Sequence, residues 1–218
     1  MPRRTHADRA SAPAGARSEF RGTKGESSRH PDPRPARTRA AILDAIERLG
    51  RSGSELTVAA IVTEAQISRS SFYSQFADLG DVAVQVMSEM ADNALELDLE
   101  LRGSEGGRFS STVVVTMLLA EMRCRRGLFT AAFGSTVSAE SQHEMCLVLA
   151  RSLQTSIERQ LGPDFDAETV SIFLVGGMLA AARNWLRAGC EQPIPELQAQ
   201  FMAALPEWML ADPMLPVD

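Results

Sequence analysis

The sequence predicts an all-α protein of about nine helices, divided into an N-terminal three-helix headpiece and a larger C-terminal helical bundle. From residue 41 onward, apolar residues recur at intervals of three and four, which is the spacing of one buried helix face. Clusters of glycine and proline separate these periodic stretches from one another. The β-branched run Val113-Val114-Val115 has helical flanks, so we expect no strand and no internal repeat.

Residues 1–37 are predicted to form a disordered basic arm. They are rich in Pro, Arg, Ser, Gly and Ala, and Phe20 is their only aromatic residue. Such a segment buries too little apolar surface to offset the entropy that it would lose on ordering. Pro31, Pro33 and Pro35 also oppose a helix, so we expect order to begin near Thr38.

Residues 38–83 are predicted to form the headpiece. Its first helix ends at Gly50 and Gly53 and buries an apolar stripe made of Ala41, Ile42, Ala45, Ile46 and Leu49. The second helix is capped by Thr57, whose hydroxyl can accept a hydrogen bond from a backbone N–H, and it ends near Ala65. Two residues then lead to a third short helix over residues 69–76, which Ser68 caps.

Residues 84–218 are predicted to form the C-terminal bundle. A long helix from about residue 79 to residue 101 enters it and ends in the glycine-rich stretch 102–107. The later helices are expected over about 110–125, 140–161, 167–188 and 195–210, with an irregular segment or a short helix over 127–134. Pro206 is expected to bend the last helix or to end it early.

The charge of the chain is unevenly distributed. The net charge of the 218 residues is −6, which at first argues against a nucleic-acid partner. Residues 1–39, however, hold ten basic and four acidic side chains, a net charge of +6, which leaves −12 for the remainder. A basic tail on an acidic body therefore keeps a nucleic-acid partner open.

Several other classes of protein are disfavoured. Three widely spaced cysteines and three scattered histidines give neither a disulfide framework nor a metal-ligand pattern, and no glycine-rich phosphate loop follows a strand. We therefore predict no cofactor, no metal and no enzymatic activity. The longest apolar stretch, residues 172–182, is about half of a membrane span, and the N-terminus lacks the apolar core of a signal peptide. A cytoplasmic protein without a membrane partner is expected.

The segment 57–76 carries the functional motif. It reads T-V-A-A-I-V-T-E-A-Q-I-S-R-S-S-F-Y-S-Q-F, with two short helices on either side of a turn and with apolar Ile61, Ala65, Ile67 and Phe72 where the helices must pack. This is the helix-turn-helix arrangement, in which the second helix enters the major groove of DNA. Small polar residues at the start of that helix let it approach the base edges.

The string from residue 65 to residue 76, A-Q-I-S-R-S-S-F-Y-S-Q-F, resembles the signature of the TetR family of transcriptional regulators, roughly A-G-V-S-x-x-x-F-Y-x-H-F. The resemblance covers about residues 38–90. Gln66 replaces the usual Gly, so a positive φ there would be strained. Gln75 replaces the usual His, and Leu79 stands where a phosphate-contacting lysine is common.

The candidate DNA-binding residues are Arg37, Arg39, Thr57, Ser68, Arg69, Ser70, Ser71, Tyr73 and Gln75. Residues 40–90 carry three Arg and seven acidic residues, a net charge of −4, so the affinity for DNA must depend on the basic arm, on backbone amides and on hydroxyls. We hypothesise that Arg34, Arg37 and Arg39 follow phosphates or enter a minor groove. The alternative is a solvated leader without a role.

The C-terminal bundle is predicted to bind a ligand and to dimerise. The candidate pocket residues, each of which is alternatively plain core, are Met87, Met90, Met117, Met122, Phe129, Phe133, Met145 and Trp185. Gly176-Gly177, Trp185, Gly189 and the following Pro195-Glu196-Leu197 are similar to the closing helices of the family, which form its homodimer interface. The candidate interface residues, or alternatively internal core, are Val170, Phe173, Leu174, Gly177, Met178 and Ala181.

Together these features predict a sequence-specific DNA-binding transcriptional regulator. The resemblance implies a ligand-responsive repressor that binds a double-stranded DNA operator as a homodimer and responds to an unidentified small hydrophobic effector. The alternative from another class is an all-α small-molecule-binding protein or an enzyme without DNA binding, which the acidic headpiece and Leu79 leave open. A corepressor ligand, or an activator, is a further alternative.

Overall fold

The computed structural model describes residues 34–52, 54–134 and 137–211. Within these ranges the chain forms ten α-helices and no strand, which confirms the all-α prediction. The helices are α1 (Arg34–Ser52), α2 (Val58–Glu64), α3 (Arg69–Tyr73), α4 (Leu79–Glu105), α5 (Gly107–Cys124), α6 (Arg126–Ala132), α7 (Ala139–Leu161), α8 (Ala167–Arg187), α9 (Ile194–Ala204) and α10 (Glu207–Leu210). Residues 1–33, most of the predicted arm, lie outside the described ranges.

Helix α1 begins at Arg34, four residues before the predicted start near Thr38. Pro35 lies in the first turn, where the backbone N–H that proline lacks would have no helical partner in any case. The prediction of disorder to residue 37 is therefore wrong for residues 34–37. As a consequence, Arg34, Arg37 and Arg39 all lie on a helix.

The three helices of the headpiece enclose a small apolar core. Ile42 and Ala45 of α1, Ile61 of α2 and Phe72 of α3 are fully buried, and Ile46 is nearly so. This is the core that the periodicity of the sequence predicts. Arg125, at the start of α6, forms ion pairs with Glu47 of α1 (3.6 Å) and with Glu121, so the headpiece is also tied to the bundle.

Helix α4 is longer than predicted and runs to Glu105 instead of about residue 101. A single glycine inside a helix costs about 1 kcal/mol, which packing readily offsets, so Gly103 does not end the helix. The helix continues because Arg102 is held in the interior by several partners. The chain turns at Gly106, whose φ of 89° favours glycine.

The bundle is built around α4. Helix α7 packs against both α4 and α8, whereas α5 packs against α4 and α9. Residues 126–132 form the short helix α6, one of the two possibilities left open by the sequence. Pro206 ends the last predicted helix early, because α9 stops at Ala204 and α10 starts after the proline.

Helix α8 leaves much of its apolar surface uncovered. Among the described helices it alone is long and apolar enough to cross a membrane by length and composition. Its uninterrupted apolar stretch, residues 172–182, is about half of the length that a membrane span needs. Only 33% of its most apolar window is buried within this chain. An apolar helix face of this kind needs a cover other than water.

Two glycines of α4 test how tightly the helices are packed. A Cβ atom at Gly80 would lie 2.5 Å from Val137 Cγ1 and 2.7 Å from Ser141 Cβ, whereas nothing lies within 4 Å of one at Gly103. We expect Gly80→Ala to lower the free energy of unfolding by about 1–3 kcal/mol, because α7 must move away. Gly103→Ala, the matched control, should raise it by about 0.5–1 kcal/mol through helix propensity. Urea denaturation measures both, and equal stabilities would contradict the close packing.

Candidate nucleic-acid interface and effector cavity

Helix α2 and the turn after it place α3 on the surface of the headpiece. The Thr57 hydroxyl caps α2 by accepting from the Ala60 N–H at 3.1 Å, as predicted. After α2 the Ile67 N–H donates to the Val62 carbonyl at 3.0 Å and closes the turn. Gln66 lies within this turn at a φ of 54°, the strained geometry expected where relatives of this motif carry glycine.

Three serine hydroxyls gather at the start of α3. Ser68 Oγ caps the helix by accepting from the Ser71 N–H at 3.0 Å. The same oxygen lies 2.8 Å from the hydroxyls of Ser70 and Ser71. Because Ser68 Oγ acts as an acceptor when it caps the helix, capping leaves the three serines with hydroxyl protons that can be donated. The helix ends at Tyr73, three residues before the predicted end.

The side chains of α3 separate into a core face and a solvent face. Phe72 and Phe76 are buried, whereas Tyr73 is 57% exposed and packs edge-on against Phe72 with a centroid separation of 5.5 Å. Arg69 and Ser70 are exposed as well. The solvent face of α3 therefore presents one cation, hydroxyls and a phenol, and Tyr73 is not a core aromatic.

The remaining DNA-binding candidates lie around α3. Arg37 and Arg39 are exposed on α1, and the guanidinium of Arg39 lies over the Phe76 ring at 5.3 Å from its centroid. Gln75 is half-buried, and its amide nitrogen donates to the Ser74 carbonyl at 3.3 Å. Arg48, in contrast, is paired with Glu64 at 2.6 Å, which cancels one of the few cations of the headpiece.

The N-terminus of α4 is occupied by acidic residues. Asp78 accepts from the Asp81 N–H at 3.0 Å, and Asp81 accepts from the Ala77 N–H at 2.9 Å. Leu79 is half-buried here. Because carboxylates already take up the positive end of this helix, a phosphate is disfavoured at this point. The exposed cations near this part of the headpiece lie on α1 and α3.

A cavity of about 130 Å³ lies between α4, α5, α7, α8 and the C-terminal helices. Its apolar lining consists of Met90, Ala94, Leu95, Val114, Val115, Leu118, Leu119, Met122, Leu149, Leu153, Val175, Met178, Leu179, Ala182, Phe201, Leu205 and Met209. Five polar residues complete it: Asp98, Arg102, Ser111, Ser152 and Ser156. An apolar enclosure with a small polar end is the usual form of a ligand site.

Two of the eight candidate pocket residues, Met90 and Met122, line this cavity. Met117 borders a second, more open cavity beside α4 and α5. The other five candidates pack in the core and do not border this cavity: Met87, Phe129, Phe133, Met145 and Trp185. They were chosen by residue type, and type does not distinguish a side chain next to a gap from one in contact on all sides.

The polar end of the cavity is a buried ion pair that the sequence analysis missed. Arg102 Nη2 donates to Asp98 Oδ1 at 2.8 Å, and Arg102 Nε donates to Asp98 Oδ2 at 3.1 Å. The Ser110 hydroxyl donates to Asp98 Oδ1 at 2.6 Å, and the Ser156 hydroxyl donates to Oδ2. A signal was present: every fourth residue from Val82 is apolar up to Ala94, and the same series continues with Asp98 and Arg102.

These contacts set the charge state of Asp98. Burial alone would raise its pKa, but hydrogen bonds from Arg102, Ser110 and Ser156, together with the charge of Arg102, hold the pKa below the ordinary value of 3.8. Asp98 is therefore ionised at neutral pH. The cavity accordingly contains a compensated pair of charges.

The six candidate interface residues of α8 do not share one environment. Phe173 is 77% exposed, and Gly177 is exposed one turn further on. Val170, Leu174, Met178 and Ala181 are half-buried, and Met178 lines the cavity. One edge of the predicted face therefore points to solvent and the other points towards the interior.

Within the described residues, no group of three or more His, Cys, Asp or Glu is placed to hold a metal.

Solved structures share this fold. FadR of Bacillus halodurans, a fatty acid degradation regulator, is 13% identical over 80% of this chain and 95% of its own, with a TM-score of 0.53. FadR of Thermus thermophilus, a TetR-family transcriptional repressor in complex with lauroyl-CoA, is 16% identical over 84% and 98%, with a TM-score of 0.58. A Mesorhizobium loti protein described as a TetR-family transcriptional regulator is 18% identical over 82% and 98%, with a TM-score of 0.54.

No protein-family model matches the chain, and no curated protein is similar to it in sequence. At these identities the structural likeness establishes the fold. The chain therefore has the fold of TetR-family transcriptional regulators, as the resemblance of the motif predicts.

Removing the charge of Asp98 tests the ion pair. Asp98→Asn leaves the buried guanidinium of Arg102 without a counter-charge, and we expect the free energy of unfolding at pH 7 to fall by about 3–5 kcal/mol. Glu100→Gln, an exposed change on the same helix, should alter it by less than about 0.5 kcal/mol. Chemical denaturation of both variants and the wild type provides the comparison.

The same pair predicts a dependence on pH. Because the pKa of Asp98 is depressed in the folded state, its stabilisation is present above the unfolded pKa of about 3.9 and is lost as the pH falls through the lower folded value. The difference between wild type and Asp98→Asn should thus be constant from about pH 5 to 7 and shrink below about pH 4. A difference that grows on acidification contradicts this account.

Proposed function

We propose that the protein is a sequence-specific DNA-binding transcriptional regulator. The observation that carries the proposal is the solvent face of α3, where Arg69, Ser70 and Tyr73 are exposed while Phe72 and Phe76 anchor the helix in the core. An exposed polar helix rigidly held in a helix-turn-helix unit is the device that reads the major groove. Arg69 is suited to a guanine edge or a phosphate, and the hydroxyls to phosphates or bases.

The basic residues of α1 supply the attraction that the acidic headpiece lacks. Arg37 and Arg39 are exposed on the helix that precedes the motif, and residues 1–33 add seven further basic residues. We assign the headpiece to residues 34–83, with α1 as the support of the basic segment, and the ligand-binding and dimerisation domain to residues 84–218. The arm is proposed to follow the phosphates that flank the groove.

Arg69→Ala tests the interface on DNA fragments from around the protein's own gene. Loss of one phosphate contact should weaken binding about tenfold and reduce the slope of log affinity against log salt by about 0.9. Loss of a base contact should instead relax the preference for the operator sequence by about 1–3 kcal/mol with little change in slope. Arg159→Ala, an exposed change on α7, should leave both quantities unchanged.

A wild-type protein that binds none of these fragments at low salt contradicts the proposal. That result would favour the alternative of an all-α small-molecule-binding protein or enzyme without DNA binding. The fluorescence anisotropy of labelled fragments gives both the affinity and its salt dependence.

We further propose a homodimer that forms through α8. Phe173, Ile172 and Ala180 are exposed on this helix, and no atom lies within 4 Å of a Cβ built at Gly176 or Gly177. Small residues beside a projecting aromatic allow a second copy of the helix to approach closely around a twofold axis. A dimer also supplies the two recognition helices that a site with two half-sites requires.

Phe173→Asp tests this interface. A charge at the centre of an apolar interface should cost at least about 2 kcal/mol, so the dissociation constant of the dimer should rise about 30-fold or more. Phe109→Asp replaces another exposed phenylalanine, on α5, and should not change the mass of the particle. Light scattering over a dilution series measures the mass, and equal behaviour of both variants excludes α8 as the interface.

We propose that the cavity holds a small effector and that its binding releases DNA, as in a repressor. Helix α4 lines the cavity at Met90 and Ala94 and begins beside the headpiece, so a shift of α4 moves both regions. Linkage then requires DNA to weaken effector binding by the same factor. The Thermus thermophilus repressor of this fold is in complex with lauroyl-CoA, which supports a small-molecule ligand for this chain. The protein is expected to act in the cytoplasm without a cofactor, a membrane partner or catalysis.

A further inference from the structure

The volume of the cavity suits a small ligand. Its volume of about 130 Å³ is similar to that of engineered apolar cavities of about 150 Å³ that bind benzene. Pockets for drug-sized ligands usually exceed about 300 Å³. A single ring, or an aliphatic chain of similar bulk, therefore fills this space.

The charges at the polar end are already compensated. The five N–H groups of Arg102 donate to Asp98, Ser111, the Met209 carbonyl at 2.8 Å and Gln160 Oε1 at 3.5 Å. Both Asp98 oxygens accept from Arg102 and from a serine hydroxyl. A charged ligand would find neither a free cation nor a free anion here and would lose its hydration, which is costly in an apolar site.

One hydroxyl at this end retains a proton that it can donate. The Ser152 hydroxyl donates to the Ala91 carbonyl at 2.8 Å, and the Ser156 hydroxyl donates to Asp98. The Ser111 hydroxyl accepts from Arg102 Nη2 at 3.3 Å, and its own proton has no acceptor among the described residues. Ser111 is buried and borders the cavity. A ligand atom that satisfies it must be an acceptor.

We propose that the cavity is selective for small uncharged apolar molecules that carry one hydrogen-bond acceptor, such as a ketone oxygen, directed at Ser111. That such a molecule acts as the effector rests on the proposed regulatory function, whereas the binding of the molecule to the cavity does not. An acyl-CoA differs from such a molecule in its phosphates, for which the cavity offers no uncompensated cation.

Four one-ring probes of similar size test the proposal on the full-length protein without DNA, by calorimetry at pH 7: acetophenone, ethylbenzene, benzoate and benzylamine. We expect acetophenone to bind about 2- to 10-fold more tightly than ethylbenzene, because it gains one neutral hydrogen bond. Benzoate and benzylamine, which are charged at this pH, should not bind. Equal binding of acetophenone and ethylbenzene, binding of either charged probe as tight as that of acetophenone, or binding of none of the four overturns the proposal.

Two serine variants test whether Ser111 is the residue that gives the preference for acetophenone. Ser111→Ala should remove the preference for acetophenone and bring the dissociation constants of acetophenone and ethylbenzene together. Ser152→Ala, whose hydroxyl proton is already used, should retain the preference. Persistence of the preference in Ser111→Ala overturns the assignment, and thermal unfolding of both variants verifies that they fold. A separate measurement of DNA binding distinguishes the selectivity of the cavity from the proposed regulatory function. Selective binding of the probe by a protein that does not bind DNA refutes the regulatory function alone.

Discussion

A buried ion pair between Asp98 and Arg102 joins four parts of the C-terminal bundle. Asp98 accepts from Ser110 of α5 and Ser156 of α7, while Arg102 donates to the carbonyl of Met209 in α10. Two buried charges are tolerated only when each hydrogen-bonding site is filled, so these helices must keep their positions relative to α4. The length of α4, the position of α10 and the polarity of the cavity all depend on this pair.

The pair lies at one end of a helix whose other end belongs to the headpiece. Gly80 lies against Val137 and Ser141 at the start of α7, so α4 and α7 are in close contact near the headpiece. The middle of α4 borders the cavity. Packed helices move as rigid bodies because their interfaces do not deform continuously. A ligand that separates α4 from α7 or α5 therefore has a direct structural route to the orientation of α3.

Local features of the fold were predictable from the sequence, whereas features that depend on distant partners were not. The caps at Thr57 and Ser68 and the burial of Phe72 follow from neighbours within a few residues. The predicted start of α1 is wrong because Pro35 lies in the first turn of the helix, which tolerates a proline. The end of α4 was misplaced because its continuation depends on partners of Arg102 more than a hundred residues away.

The candidate sites show the same division. The residues of α3 were identified because a helix-turn-helix unit is contiguous in sequence. Most residues of the cavity are not predictable from the sequence, because the cavity is a gap between five or more helices. In the sequence, Asp98 and Arg102 at its polar end resemble an ordinary i, i+4 pair on a helix surface. An exposed pair of this kind contributes little to stability, whereas a buried pair constrains the helices around it, and burial is not evident from the sequence.

The distribution of cations in the headpiece has a consequence for how DNA would be read. Arg48 is paired with Glu64 and carboxylates cap α4, so the cations left to neutralise phosphates are few, chiefly Arg37, Arg39 and Arg69. Binding through the headpiece alone would therefore release few counterions and depend weakly on salt. Discrimination between sequences would then come mainly from Arg69 and the hydroxyls of α3, because a weak non-specific attraction leaves a larger share of the affinity to direct contacts with the bases.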